Sequence, residues 1–151
     1  MQLCGQQAVW NYEEENGLLT IQGVGAMEDY TEPEQVPWNS LMQEIKVVVI
    51  RDGITTVGDY AFAGCSNLQE VTLPGSVEIV GVFSFKGCTG LREIVIPEGV
   101  RVLASKAFQF CSALKKVYLP STLIDVDMRA FGKCESLEEV IYQGSEKQWE
   151  Q

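Results

Sequence analysis

The chain has 151 residues, 46% apolar and 21% charged, with 21 acidic and 11 basic side chains, no histidine and a net charge of −10. That composition is globular, and the length is enough to bury most of the unfolded surface. The carboxylate excess argues against nucleic acid and anionic membrane surfaces, both of which are held by Lys and Arg.

Without histidine, Ser–His and Cys–His pairs and His-based zinc sites are excluded within the chain. The longest apolar run, Val47-Val48-Val49-Ile50, is strand-sized and far short of a membrane span. Residues 1–4 lack the parts of a secretory signal. That leaves an intracellular protein or a mature fragment carrying an added Met1.

In chain order, residues 8–22 read as a β-hairpin. Two short apolar runs, Val9-Trp10-Asn11-Tyr12 and Leu18-Leu19-Thr20-Ile21, flank Asn16-Gly17, and both turn residues tolerate positive φ. Residues 23–26 continue as irregular chain. Residues 28–37, acidic and with two prolines, read as a loop. Trp38 to about Gln43 suits one helical turn started by Pro37.

From Ile45 a single pattern takes over. Phe62, Phe85, Phe108 and Phe131 recur every 23 residues, and so do Cys65, Cys88, Cys111 and Cys134, and Leu68, Leu91, Leu114 and Leu137. A fixed period of roughly 20–50 residues marks a solenoid whose coils share one core. Each copy carries an apolar–x–x–apolar–x–apolar strand, beginning with Ile45, Val48 and Ile50 in a half-coil that lacks the Phe and Cys. Alternation turns Val71 and Leu73 inward and Thr72 outward. Pro74, Pro97 and Pro120 close three of the strands. Strands returning in the same direction predict one parallel sheet at about 4.8 Å spacing. The Phe of each coil is expected on a short helical turn across the core.

The strings LQEVTLPGSVEIVG, AFAGCSNL, LREIVIPEGV and AFQFCSAL closely resemble BspA-type (Treponema-type) leucine-rich repeats. The leader, with Cys4-Gly5, Trp10, the stretch 17–27 and Pro37-Trp38, is similar to the segment preceding such repeats. Tyr142-x-Gly144-Ser145 with Trp149 looks like the family's exit from them. The sequence departs from the family pattern at Ala104 and Asp127, which replace the bend glycines Gly58 and Gly81, and at Phe110 and Lys133, which replace Gly64 and Gly87. The resemblance implies an α/β, right-handed leucine-rich-repeat solenoid with a parallel sheet face, short helical turns opposite and an N-terminal β-hairpin cap. Its expected divisions are a capping segment at 1–44, repeats at 45–142 and an exit segment at 143–151. It implies a bacterial extracellular or cell-surface protein concerned with adhesion, with no enzyme activity in the repeats; the residues themselves lead to the expectation of no cofactor and no metal.

Three features are candidates for chemistry. The cysteine column reads as buried packing, because the cysteines repeat at one structural position instead of stapling loops at mixed spacings. Cys4 stands apart, either free or paired with a segment outside the chain. The carboxylates Glu13-Glu14-Glu15 and Glu138-Glu139 read as solvated charge. Glu28, Asp29, Glu32 and Glu34 offer oxygen ligands, at a spacing that matches no standard calcium loop.

The outward sheet face is the third. It should be polar, yet the period places Val49, Thr72, Val95, Tyr118 and Ile141 in one column. Glu70, Glu93, Lys116 and Glu139 flank them, with Arg92 beyond. An apolar stripe rimmed by charge often marks a binding site. β-Branched and aromatic residues also simply favour strands. The face is the candidate surface for a protein or glycan partner, with no nucleic acid and no membrane insertion. A structural spacer in a longer surface protein is the competing reading.

Overall fold

The computed structural model describes residues 2–127 and 129–144. The Asn16-Gly17 turn, with Gly17 at φ 63°, closes an antiparallel hairpin between β2 (Ala8–Glu13) and β3 (Leu18–Gly23). β1 (Gln2–Leu3) pairs antiparallel with β2. The hairpin falls where the sequence puts it. From β3 onward every pairing is parallel, on a face and a back that the chain visits alternately.

Face and back are built from strands that follow in order: β4 (Gly25–Ala26), β5 (Val47–Ile50), β6 (Ile54–Val57), β7 (Glu70–Thr72), β8 (Ile79–Val80), β9 (Glu93–Val95), β10 (Val102–Leu103), β11 (Lys116–Leu119), β12 (Asp125–Val126) and β13 (Glu139–Tyr142). The face uses β3, β5, β7, β9, β11 and β13. The back uses β4, β6, β8, β10 and β12.

Three expectations change. The predicted single parallel sheet is divided: β3–β5–β7 and β9–β11–β13 are each hydrogen-bonded, and no ladder joins β7 to β9. A second parallel sheet stands where only inward-pointing Val80, Leu103 and Val126 were expected, and residues 25–26 belong to it. The helical turns at the Phe positions are absent. Among the described residues the only helical pieces are two 3-10 turns in the leader, Pro33–Gln35 and Asn39–Leu41. The chain instead crosses the core end in tight turns, with Tyr60, Phe83 and Lys106 in the left-handed region at φ 62°, 58° and 58°. The fold is therefore a β-solenoid with almost no helix.

One apolar core runs from Cys4 to Ala130. Its spine is a column of stacked rings: Phe62–Phe85 at 5.2 Å, Phe85–Phe108 at 5.1 Å and Phe108–Phe131 at 5.3 Å between centroids. The half-coil is not missing its ring. Trp38 stacks on Phe62 at 5.5 Å and 18°, and its Nε1 donates to the Ala61 carbonyl at 2.8 Å. Trp10 closes the column edge-on to Trp38 at 5.5 Å. Offset stacking at these distances contributes roughly 0.5–1.5 kcal/mol per pair beyond area burial.

The cysteines serve the same stack. All five are free, and all but the half-buried Cys134 are buried. Cys88 Sγ donates to the Phe62 carbonyl at 3.3 Å, Cys111 Sγ to Phe85 at 3.2 Å and Cys134 Sγ to Phe108 at 3.1 Å. Each thiol thus ties its coil to the one before through a weak S–H donor. On the opposite bend, glycine alternates with a hydroxyl. Ser76 Oγ accepts from Gly53 N at 3.0 Å, and Thr122 Oγ1 accepts from Gly99 N at 3.1 Å. Gly99 has φ 113°, and a Cβ there would lie 2.0 Å from the Gly75 carbonyl, so the position is closed to other residues.

Ser84 breaks the pattern of Ala61, Ala107 and Ala130, and its buried hydroxyl has no hydrogen-bond partner. Desolvating a hydroxyl without a partner is costly, so Ser84→Ala is expected to raise stability by about 1 kcal/mol. Phe85→Ala, which opens the middle of the ring column, is expected to lower it by about 3–5 kcal/mol. Urea unfolding midpoints measure both. Burial pushes the thiols of Cys4 and Cys65 up to about 12 and that of Cys134 up to about 11, all from 9.0. The folded state thus favours the protonated thiol. Its contribution is complete below pH 9 and is lost as pH rises from 9 through about 11 to 12. At pH 8, iodoacetamide should modify the folded chain first at Cys134, and the unfolded chain at all five cysteines.

Candidate functional site

The sheet face is built by register. Thr20 pairs with Val49 and Val49 with Thr72, while Val95 pairs with Tyr118 and Tyr118 with Ile141. One residue pair away, Val47 pairs with Glu70, and Glu93, Lys116 and Glu139 follow one another. Inward alternates Val48, Ile94 and Val117 are fully buried, which fixes the outward direction of their neighbours. The predicted columns therefore exist as continuous rows within each half of the face. The missing ladder between β7 and β9 separates Val49, Glu70 and Thr72 from Arg92, Glu93, Val95, Lys116, Tyr118, Glu139 and Ile141.

The second half is the better-formed surface. Val95 is 52% exposed. Tyr118 and Ile141 are half-buried beside it. Lys116 lies 4.0 Å from Glu139 and 5.6 Å from the Tyr118 ring centroid. Tyr118 first, and the Glu139 carboxylate second, hold the Lys116 ammonium above its ordinary pKa. The pair is solvent-exposed, so it orients the two side chains more than it stabilises the fold.

Two shallow depressions adjoin this surface. One, of about 340 Å³, is lined by Val95, Ile96, Pro97, Glu98, Tyr118, Pro120 and Gln143. The other, of about 470 Å³, is polar and lies beside the break in the face, with Ser66, Asn67, Gln69, Thr89 and Arg92 in its wall. Pro97 and Pro120 were legible only as strand ends. Their rings also extend the apolar floor past Val95 and Tyr118, which the outward columns alone do not show.

The other sequence candidates have structural employment. Asp29 Oδ1 accepts from Asp59 N at 2.9 Å, and Asp59 Oδ1 in turn accepts from Val82 N at 2.8 Å, so the acidic loop caps turns of the coils. Among the described residues no group of three or more acidic, cysteine or histidine side chains is placed to hold a metal ion. Glu13 accepts from Asn16 Nδ2 at 2.7 Å within the hairpin turn. Cys4 is buried, its carbonyl accepting from Glu28 N at 2.6 Å, and no disulfide links it to a described residue. Ser145 and Trp149 lie outside the described residues. No helix among the described residues is long and apolar enough to cross a membrane.

No curated protein matches the chain by sequence. Several solved bacterial structures match by fold. A leucine-rich cell surface protein from Faecalibacterium prausnitzii superposes with a TM-score of 0.76 at 22% identity, covering 97% of this chain and 41% of that one. A leucine-rich repeat protein from Eubacterium ventriosum gives 0.71 at 23% identity, covering 93% and 43%. The leucine-rich repeat protein of Treponema pallidum gives 0.69 at 19% identity, covering 87% and 67%. The chain thus spans less than half the length of the first two. The model of the BspA-type leucine-rich repeat region matches residues 40–151 in six copies. With the 23-residue coils, the ring column and the parallel sheets, this places the chain in the BspA-type leucine-rich repeat family.

Proposed function

We propose that the chain is a non-enzymatic binding module of an extracellular or cell-surface bacterial protein, recognising a protein or glycan partner through its sheet face. One observation carries this reading. Val95, Tyr118 and Ile141 stand in hydrogen-bonded register on the outward side of the sheet, where a solvated face would be polar, and Glu93, Lys116 and Glu139 rim them. A solenoid offers such a surface without a cleft, through residues that vary while the core positions repeat. The working division is a capping segment at 1–44, repeats at 45–142 and an exit segment at 143–151. The coil is taken as right-handed, following the hand of parallel crossovers.

A second reading rests on length. The chain spans 41% and 43% of two of the solved proteins it resembles. A spacer or assembly repeat within a longer surface protein fits that proportion. The two readings separate in a binding screen against matrix proteins and glycans. If the sheet face binds, Val95→Lys with Tyr118→Glu should weaken the partner by at least about tenfold while the circular dichroism melt is unchanged. A folded double variant that binds normally removes the face assignment. Absence of any ligand for this chain, with binding by a separate domain of a longer one, favours the spacer.

A further inference from the structure

The turn edge of the solenoid, between the two sheets, carries a cluster that neither the core nor the sheet face uses. Tyr60 and Phe83, one coil apart, pack ring on ring at 4.9 Å. Lys86 Nζ sits 4.9 Å from the Phe83 centroid and 6.0 Å from that of Phe110, and Lys106 Nζ sits 5.5 Å from Phe83. Two ammonium groups are thus held around one ring by cation–π attraction. Among the described residues the one ion pair is Lys116–Glu139, so neither lysine has a carboxylate partner there. That is notable in a chain with 21 acidic residues. Asp59 and Asp127 lie on the same turns, where they accept from the backbone N–H groups of Val82 and Arg129.

The backbone adds a second observation. Gly64 and Gly87 hold the left-handed conformation at φ 82° and 74°, while the same position in the next two coils is Phe110 at 63° and Lys133 at 60°. A bulky side chain in that region is strained where glycine is free. Phe110 is 46% exposed beside Lys86, and Lys133 puts a further cation on the edge.

We propose that this edge binds a linear anionic polysaccharide lying along the solenoid axis. Its carboxylate or sulfate groups meet Lys86, Lys106, Arg129 and Lys133, and its sugar faces rest on Tyr60 and Phe110. An acidic peptide fits less well, for two reasons. The turn backbone is already spent coil to coil, as in Tyr60 N to Val82 O at 3.0 Å and Phe110 N to Gly132 O at 2.9 Å, so there is no free edge for strand addition. Successive coils recur at about 4.8 Å, whereas same-side residues of an extended peptide recur at about 6.6 Å. Carboxylates elsewhere on the chain, which carry most of the net charge of −10, are screened beyond a Debye length of about 8 Å at physiological salt, whereas Asp59 and Asp127 lie on the turns themselves and offset part of the local positive charge.

The test is binding of the full chain to polygalacturonate, with neutral dextran and polyglutamate as comparators, by biolayer interferometry. Binding to polygalacturonate but not dextran is expected. Lys86→Gln with Lys106→Gln should weaken it at least about tenfold, and the Lys86→Arg, Lys106→Arg pair should restore it. Arg51→Gln with Arg101→Gln, which removes equal charge from exposed positions away from this edge, should change affinity less than about twofold. Phe110→Gly should raise the thermal midpoint by relieving strain and at the same time weaken binding, opposite signs that a purely structural Phe110 would not give. The proposal is overturned by no binding to polygalacturonate, by undiminished binding of the lysine pair variant, or by an equal loss in the arginine pair variant. It is also overturned if polyglutamate binds as tightly, which would make the occupant an acidic peptide.

Discussion

Phe62, Phe85 and Phe108 each donate their backbone N–H one coil onward, to Ser84, Ala107 and Ala130, at 2.7, 2.8 and 2.7 Å. Their rings stack directly beneath, and each carbonyl takes the thiol of the following coil's cysteine. Backbone ladder, ring column and thiol column share one register, so a coil cannot gain or lose a residue in its turn without breaking all three. The 23-residue period is the sequence-level trace of that requirement. A solenoid without this column would have two thin sheets and nothing to hold them at a fixed separation. The single apolar core, from Cys4 to Ala130, is what the register makes possible.

The period made the face strands, their outward columns and the packing role of the cysteines readable, because each repeats a residue type at a fixed position. The back sheet was harder to see. Its strands are two residues long after β6, and the inward residue of each, such as Val80 or Leu103, reads equally as a loop residue touching the core. Trp38 was hidden by a shift of one: it stands 24 residues before Phe62, and a search at 23 passes over it. The break between β7 and β9 has no signature in residue type. Glu70-Val71-Thr72 and Glu93-Ile94-Val95 have the same pattern, and whether they exchange hydrogen bonds depends on how the coils lean.

That break has a consequence for where recognition can sit. It divides the ten face residues into three on the hairpin side and seven on the other, where ladders tie β9 to β11 and β11 to β13. A rigid surface loses less entropy on binding, and Val95, Tyr118 and Ile141 belong to one ladder. The hairpin side offers Thr20, Val49 and Thr72, more polar and tied to the leader through β3. The interruption also opens the polar depression beside Arg92, so the charged and apolar elements of the face meet at its margin.

Composition argues for a uniformly acidic molecule, and the repeat shows why that average misleads. Positions that face the core are fixed by the register, so charge can vary only at the outward positions of each coil, and these fall into separate columns. One such column holds Glu70, Glu93, Lys116 and Glu139, another Tyr60, Phe83, Lys106 and Arg129. Stacking collects the members of each column at coil spacing, which turns a scatter of side chains in sequence into strips of distinct chemistry in space. The acid excess of the whole chain is therefore compatible with a local basic and aromatic strip, provided the two lie on different edges.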